Sequence, residues 1–261
     1  MLQEGYWMVV DLTVWQVLVL VGAGFISGAL NAAAGGGSLV SFPALIATGY
    51  PPLIANVTNN VAAFPGYVGG AWGYRHGLTG QQKRIAPLAV ASVVGSLIGV
   101  GLILASSETA FGSIVPFLVL AACGLLAIEP YLGRFLEGWR TQSGRPGIGA
   151  LLAQTLTAAY GGYFGAALGV AVLALLSLAL DDTLQRLNAL KALLQLVIGG
   201  VAALGFAVLT SVAWTAVAVL APASIVGGQV GARLAQRVSD RALRVGIIAY
   251  GVAAAVWLFI R

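Results

Sequence analysis

Ten apolar runs fill nearly the whole chain, at roughly 12–30, 36–49, 53–74, 85–105, 111–128, 147–164, 165–180, 187–208, 213–232 and 243–260. Most approach the ~20 residues that carry a helix across ~30 Å of hydrocarbon. In lipid a backbone amide has no water to bond, so continuous, non-alternating runs imply helices and not strands. Charged residues make up only 8% of the sequence, far below the ~25% usual in soluble domains. The expected fold class is therefore an all-α polytopic membrane protein with no separate soluble domain. The N-terminal MLQEGYWMVVD carries acids and no Lys or Arg, so the first run reads as a retained span and not as a cleaved signal.

The few charges fall between the runs. Arg75, Lys83 and Arg84 share one loop, and Arg134, Arg140 and Arg145 another. Arg186 and Lys191 flank a third, with Asp181 and Asp182, and Arg233, Arg237, Arg241 and Arg244 make a fourth. If all ten runs cross, these loops lie on one side, which positive residues mark as cytoplasmic. The outer side then holds Glu4, Asp11 and Glu108, both termini, and Arg261 as the one basic exception. The net charge of +5 thus reflects basic loops on one membrane face, and no nucleic-acid partner is expected.

Shifted by 132 positions, the sequence partly matches itself. Ala86–Gly99 (APLAVASVVGSLIG) lies over Ala218–Gly231 (AVLAPASIVGGQVG), and nine of the twenty residues at 85–104 are identical. In the same ungapped register Gly37 falls on Gly169, Asn56 on Asn188 and Gly73 on Gly205. Each half holds about five segments, an odd number, so the halves are expected to insert in opposite directions. That predicts residues 1–130 as a first repeat, 131–147 as a cytoplasmic linker and 148–261 as an inverted second repeat. In inverted-repeat architectures the site lies near the midplane, where interrupted helices of the two halves meet. The short runs 36–49 and 165–180 are the candidates for such segments.

The sharpest interruption is Gly35-Gly36-Gly37-Ser38, after Asn31. Three glycines each weaken a helix by roughly 1 kcal/mol relative to alanine. A helix restarting at Ser38 would aim unpaired N–H groups into a cavity, a ready anion site; the plainer reading is a glycine cluster for helix packing. Tyr160, Gly161, Gly162 and Tyr163 read as the second break, with the tyrosines either hydrogen-bond donors or interfacial belt residues. Lys191, inside an apolar run, either snorkels to the interface or attracts an anion. Asn188 and Gln195 lie one turn before and after it, a polar stripe that must face protein or water. Asn56, Thr58 and Asn59 are the first-half counterparts, with Asn59 on the repeat register of Lys191; the alternative is interhelical hydrogen bonding. Tyr67, Trp72 and Tyr74 read as belt residues. Gly95/Gly99 and Gly227/Gly231 have the spacing that lets helices approach closely.

Enzyme chemistry is not expected. Cys123 and His76 are single, which excludes a cysteine metal cluster and an intramembrane histidine pair, and no cofactor is called for. Gly35–Ser38 lacks the lysine and preceding strand of a nucleotide phosphate loop.

FISGALNAAAGGGSLVSFPAL, TAAYGGYFGAALGV and LNALKALLQL resemble the TauE/SafE family, the sulfite and organosulfonate exporters also called the toluene-sulfonate uptake permease group. The resemblance extends over essentially the whole chain. It implies secondary transport of small sulfur-containing or carboxylated anions across a bacterial inner membrane. The expected function is export of sulfite or an organosulfonate by alternating access. The competing reading is a permease or channel for other small anions such as carboxylates, in either direction. The partners are then a small anion, the lipid bilayer and, for uptake, a coupling ion such as H+ or Na+.

Overall fold

The computed structural model describes residues 12–33, 35–135, 146–234 and 240–260. They form ten α-helices: α1 (Val14–Ala33), α2 (Ser38–Ala47), α3 (Pro52–Gly73), α4 (Gln82–Ala105), α5 (Glu108–Phe135), α6 (Ile148–Tyr163), α7 (Leu168–Ala179), α8 (Leu184–Leu209), α9 (Trp214–Leu234) and α10 (Asp240–Ile260). Among the described residues, segments of α1, α4, α5 and α8 are long and apolar enough to cross a bilayer. Large apolar side chains such as Trp15, Leu102, Phe117, Leu156 and Leu204 stand exposed on the outside. Such a surface belongs in lipid, and the chain is an integral membrane protein. α5 continues to Phe135, within the expected linker 131–147, and residues 136–145 lie outside the described residues. The loop positions Arg140, Arg145 and Arg237, and the terminal Glu4, Asp11 and Arg261, lie outside the described residues.

The helix list repeats. α3, α4 and α5 begin at Pro52, Gln82 and Glu108, each 132 residues before the starts of α8, α9 and α10 at Leu184, Trp214 and Asp240. The packing is exchanged between the halves: α1 packs along α9, and α6 along α4. Glycine permits both approaches. A methyl on Gly28 would overlap the Ser224 carbonyl and one on Gly227 that of Phe25, while methyls on Gly95 and Gly99 would overlap the carbonyls of Thr155 and Ala159.

α3 and α8, 132 residues apart in the helix order, run antiparallel. The turn after α3 meets the start of α8, where Gln81 Nε2 donates to the Arg186 carbonyl at 3.0 Å. At the other end the Ala213 N–H, just past α8, donates to Thr58 Oγ1 near the start of α3 at 3.1 Å. α5 and α10 are opposed likewise: Phe117 meets Phe259, with ring centroids 5.0 Å apart, and deeper in the pair Cys123 lies against Gly251.

Two faces follow from these contacts. On one, Glu108 Oε1 accepts the Leu53 N–H at 2.8 Å, placing an acid in the first turn of α5 where the helix dipole favours it. We call this the acidic face. The opposite, basic face carries Arg75, Lys83, Arg84 and Arg186. There Asp182 bridges Arg84 Nη1 at 2.5 Å and Arg186 Nε at 3.0 Å. Burial works to raise the Asp182 carboxyl, but hydrogen bonds from Arg186, the Thr183 N–H and Arg84, with the Arg186 charge, outweigh it and hold the pKa below the ordinary carboxylate range.

α1 and α2 form a hairpin whose open end is tied where Gln16 Nε2 donates to the Thr48 carbonyl at 2.8 Å. α2 has 10 residues and α7 has 12, or about 15 and 18 Å at a rise of ~1.5 Å per residue. Each covers about half of a ~30 Å hydrocarbon core. The bends before α2 and α7 therefore lie at mid-depth, and they touch. A methyl placed on Gly35, at φ +78°, would lie in ordinary contact with the second bend, 3.6 Å from the Val170 nitrogen and 3.7 Å from Gly169 Cα.

Candidate functional site

A cavity of about 500 Å³ opens beside the first bend. Its walls come from α1 (Ser27, Asn31), α2 (Ser41), α3 (Asn59 to Tyr74), α8 (Lys191, Gln195) and α9 (Leu220 to Gln229). It extends to Tyr74 at the end of α3, where that side chain is exposed, so it opens on the basic face. Lys191 is the one charged side chain lining it among the described residues, and no carboxylate does so.

The polar groups are fixed by local bonds. Asn31 Oδ1 accepts the Gly37 N–H at 2.9 Å, capping the bend that the triple glycine makes. Ser41 Oγ donates to Asn59 Oδ1 at 2.5 Å and lies 3.2 Å from Ser27 Oγ. With its oxygen so engaged, the Asn59 amide is left to act as a donor. Lys191 Nζ donates to Asn188 Oδ1 at 2.8 Å. Gln195 lies against Gly169, where a methyl would come 2.9 Å from Nε2. The wall thus offers an ammonium and amide and hydroxyl groups, set in glycine and apolar surface. That inventory suits a small anion.

Of the residues singled out from sequence, Asn31, Asn59, Lys191 and Gln195 line the cavity. Asn188 acts on it through Lys191. Gly35, Gly36, Gly37 and Ser38 form the expected bend between α1 and α2 but do not line the wall. Asn56 and Thr58 are fully buried and turned to other work. Asn56 Nδ2 donates to the Tyr163 carbonyl at 2.8 Å, and Thr58 takes the Ala213 N–H noted above.

The second bend corrects the sequence reading. Tyr160, Gly161, Gly162 and Tyr163 are helical, and the interruption falls after them, at Phe164–Ala167. The glycine pair serves close packing: a methyl on Gly162 would overlap the Ser96 carbonyl, and one on Gly161 would press on Ile198 and Leu168. Tyr160 Oη donates to the Ala166 carbonyl at 2.6 Å, and Tyr163 Oη lies 3.4 Å from Ser106 Oγ. Neither tyrosine faces the cavity. Gly165 (φ +76°) and Ala167 (φ +55°) make the turn.

Several wall residues were not found by sequence reasoning, among them Ser27, Ser41 and Tyr74. Tyr67, expected in an interfacial belt, stands in the cavity wall with its ring on Gly199. The usable signal was the repeat register, which pairs this bulky ring with a glycine. The α9 wall, with Ser224 and Gln229, carried no such signal. Trp72 does face outward as expected, 70% exposed, with the Arg75 guanidinium 4.7 Å from its ring centroid.

An apolar-surfaced helical bundle with a cavity, carrying a few polar groups, beside a mid-depth bend defines a polytopic membrane protein built to admit a solute. The chain belongs to the TauE/SafE family: the family described as "Sulfite exporter TauE/SafE" matches residues 20–258. It is thus a member of a family of membrane transporters. It is similar to a "Probable membrane transporter protein" of Haemophilus influenzae, with 29% identity over 159 residues, 61% of each chain. It is also similar to "Probable membrane transporter protein ORF9" of Sinorhizobium sp, with 28% identity over 160 residues, 61% of this chain and 60% of the relative. The chain therefore aligns with about three fifths of the length of these relatives. No solved structure matches it significantly.

Proposed function

We propose that the protein is a secondary transporter that exports a small sulfur-containing anion, sulfite or an organosulfonate, by alternating access. The observation that carries this reading is the cavity wall: among the described residues it holds one ammonium, Lys191, with neutral hydrogen-bonding groups and no carboxylate to repel an anion. A charge at this depth is costly and by default functional. The antiparallel course of α3 against α8 and of α5 against α10, with the exchanged packing of α1 and α6, supports two inverted repeats. The basic face, on which the cavity opens, is then cytoplasmic in an inner membrane, and an anion enters from the cell interior. Outward movement of an anion is favoured by roughly 2.3 kcal/mol per charge per 100 mV of inside-negative potential. Export needs no coupling ion, whereas uptake would need H+ or Na+. The protein acts as a carrier and not as an enzyme.

The test is flux in proteoliposomes with sulfite, a short alkyl sulfonate, taurine and a short carboxylate. Saturable flux of a sulfur anion that shows counterflow supports the reading. Transport of the carboxylate alone would move the protein to the competing permease class, and a response only to cations would end the anion reading.

A further inference from the structure

Asn56 and Asn188 occupy the same place in the two halves, 132 residues apart, and they are used differently. Asn56, fully buried, crosses to the other half and caps the frayed end of α6 through the Tyr163 carbonyl at 2.8 Å. Asn60 reinforces it, with Nδ2 3.4 Å from the Phe164 carbonyl and 3.0 Å from that of Asn56. These bonds lie beside the aromatic cluster of Phe42, Phe111 and Phe164, which closes the molecule on the acidic side of the second bend. Asn188 makes no such crossing. Its Nδ2 donates to Leu184 of its own helix at 3.0 Å, and its Oδ1 holds Lys191 Nζ. The carbonyl that corresponds to Tyr163 is that of Asn31, and Asn31 and Lys191 both line the open cavity.

In an inverted-repeat carrier the second state exchanges the conformations of the two halves. We propose that Asn56 and Asn188 are alternating latches, each closing one face by capping the interrupted first helix of the opposite half. In the state described, Asn56 is engaged and Asn188 is parked. On closure of the basic face, the Asn188 amide leaves the Leu184 carbonyl for that of Asn31. Asn56 makes the reverse exchange, from the Tyr163 carbonyl to that of Pro52, four residues before it in α3. Asn188 Oδ1 keeps its bond to Lys191, so the latch that closes the cavity is the side chain that orients the ammonium. This inference rests on the inverted-repeat reading given above.

The register supplies the reporters. Gly70 lines the cavity, and a methyl there meets nothing within 4 Å. Its counterpart, Ala202, is 0% exposed and would line the cavity of the exchanged state. In a Cys123→Ala background, Gly70→Cys and Ala202→Cys are labelled with a membrane-impermeant maleimide in vesicles of either orientation. Gly70→Cys should react from the basic face, and Ala202→Cys slowly from the other, at a rate set by the exchanged population. Asn56→Ala should raise the Ala202→Cys rate roughly 3- to 10-fold, because it uncaps the helix-end carbonyl of Tyr163 in the state described, whereas the Pro52 carbonyl of the exchanged state lies within a helix and loses less; Asn188→Ala should lower the rate by a similar factor. Retained one-sided labelling of Gly70→Cys shows that each variant is folded. A rate within twofold of the parent in both variants, or an equal rise in both, overturns the latch. Labelling of Ala202→Cys from the basic face alone would overturn the inverted reading itself, a distinguishable failure.

Discussion

Gly35–Gly37, between α1 and α2, and Phe164–Ala167, between α6 and α7, occupy equivalent places in the helix order and are held by different chemistry. The first bend is bare backbone, capped by one side chain of its own half, Asn31. Ser27 and Asn31 lie against Gly37, Leu126 and Ile247 against Gly36, and a cavity opens beside the bend. The second is packed with rings: Phe164 meets Phe42 at 5.3 Å and Phe111 at 6.4 Å between centroids, and Tyr160 at 6.4 Å. Its frayed carbonyls are taken by amides from the other half, Asn56 and Asn60. A cavity whose wall carries the Ser27 and Ser41 hydroxyls can be wetted beside the first bend, whereas a bend packed with rings stays shut. One repeated frame thus gives an open side and a sealed side, according to which residues fill it.

The largest expected effect comes from removing the seal. Phe164 is 2% exposed, among other buried rings, and Phe164→Ala should cost about 3–5 kcal/mol of stability, as large-to-small changes in a packed core do. Asn31→Ala, at the open bend, should cost only about 1 kcal/mol. Thermal unfolding in detergent reads both. Equal losses would mean that the two bends are not held as differently as described.

Next in size is Lys191→Ala. It removes a charge-assisted contact worth roughly 1.5–3 kcal/mol, so the apparent affinity for the transported anion should fall about 10- to 150-fold while the unfolding temperature moves little. Lys191→Arg keeps the charge and should retain part of the affinity. Unchanged anion affinity in Lys191→Ala would separate the cavity from transport altogether.

A smaller effect belongs to the corners that follow α2 and α7. In the repeat register Tyr50 corresponds to Asp182. Tyr50 Oη is buried without a hydrogen-bond partner, whereas Asp182 ties Arg84 to Arg186. The folded-state pKa of Asp182 is depressed, so its contribution is complete above the unfolded value of ~3.9 and is lost as pH falls through the lower folded value. For a pair near the surface this amounts to about 1 kcal/mol. The unfolding temperature should drop between pH 5 and 3 by more in the parent than in Asp182→Asn. Parallel curves would remove the ion pair from the account of the basic face.

The same contrast explains what could be read in advance. Helix number and class were legible because continuous apolar runs in lipid leave the backbone no other solution. The first bend was legible because three consecutive glycines bring no side chains to hold a helix together. The second was placed four residues early, since Gly161-Gly162 looks the same whether it interrupts a helix or lets a neighbour approach, and here it admits α4. Lys191 stood out because a charge inside an apolar run must be explained. Tyr67 did not, because an aromatic near the end of a run looks alike facing a cavity or a lipid headgroup. The roles of Asn56 and Thr58 were hidden for another reason: their partners are backbone groups at Tyr163 and Ala213, which no side-chain pattern reveals.

The smallest expected effect probes how the sealed bend is held. Ala167 sits at φ +55° and is 1% exposed. For an alanine that left-handed conformation costs roughly 1–2 kcal/mol, and its neighbours impose it. The Tyr160 hydroxyl fixes the Ala166 carbonyl, and Ala167 must start α7 by accepting the Val170 and Ala171 N–H groups at 3.0 and 3.1 Å. Ala167→Gly relieves the strain but frees the unfolded chain, which returns ~0.5–1 kcal/mol. The net change should be a stabilisation of about 0.5–1 kcal/mol. The corresponding test at the first bend, Gly35→Ala at φ +78°, should destabilise by about 1 kcal/mol. If Ala167→Gly stabilises the protein and leaves flux unchanged, the strain is only a consequence of packing. If it stabilises the protein and slows flux, strain at the sealed bend is what lets that side reopen.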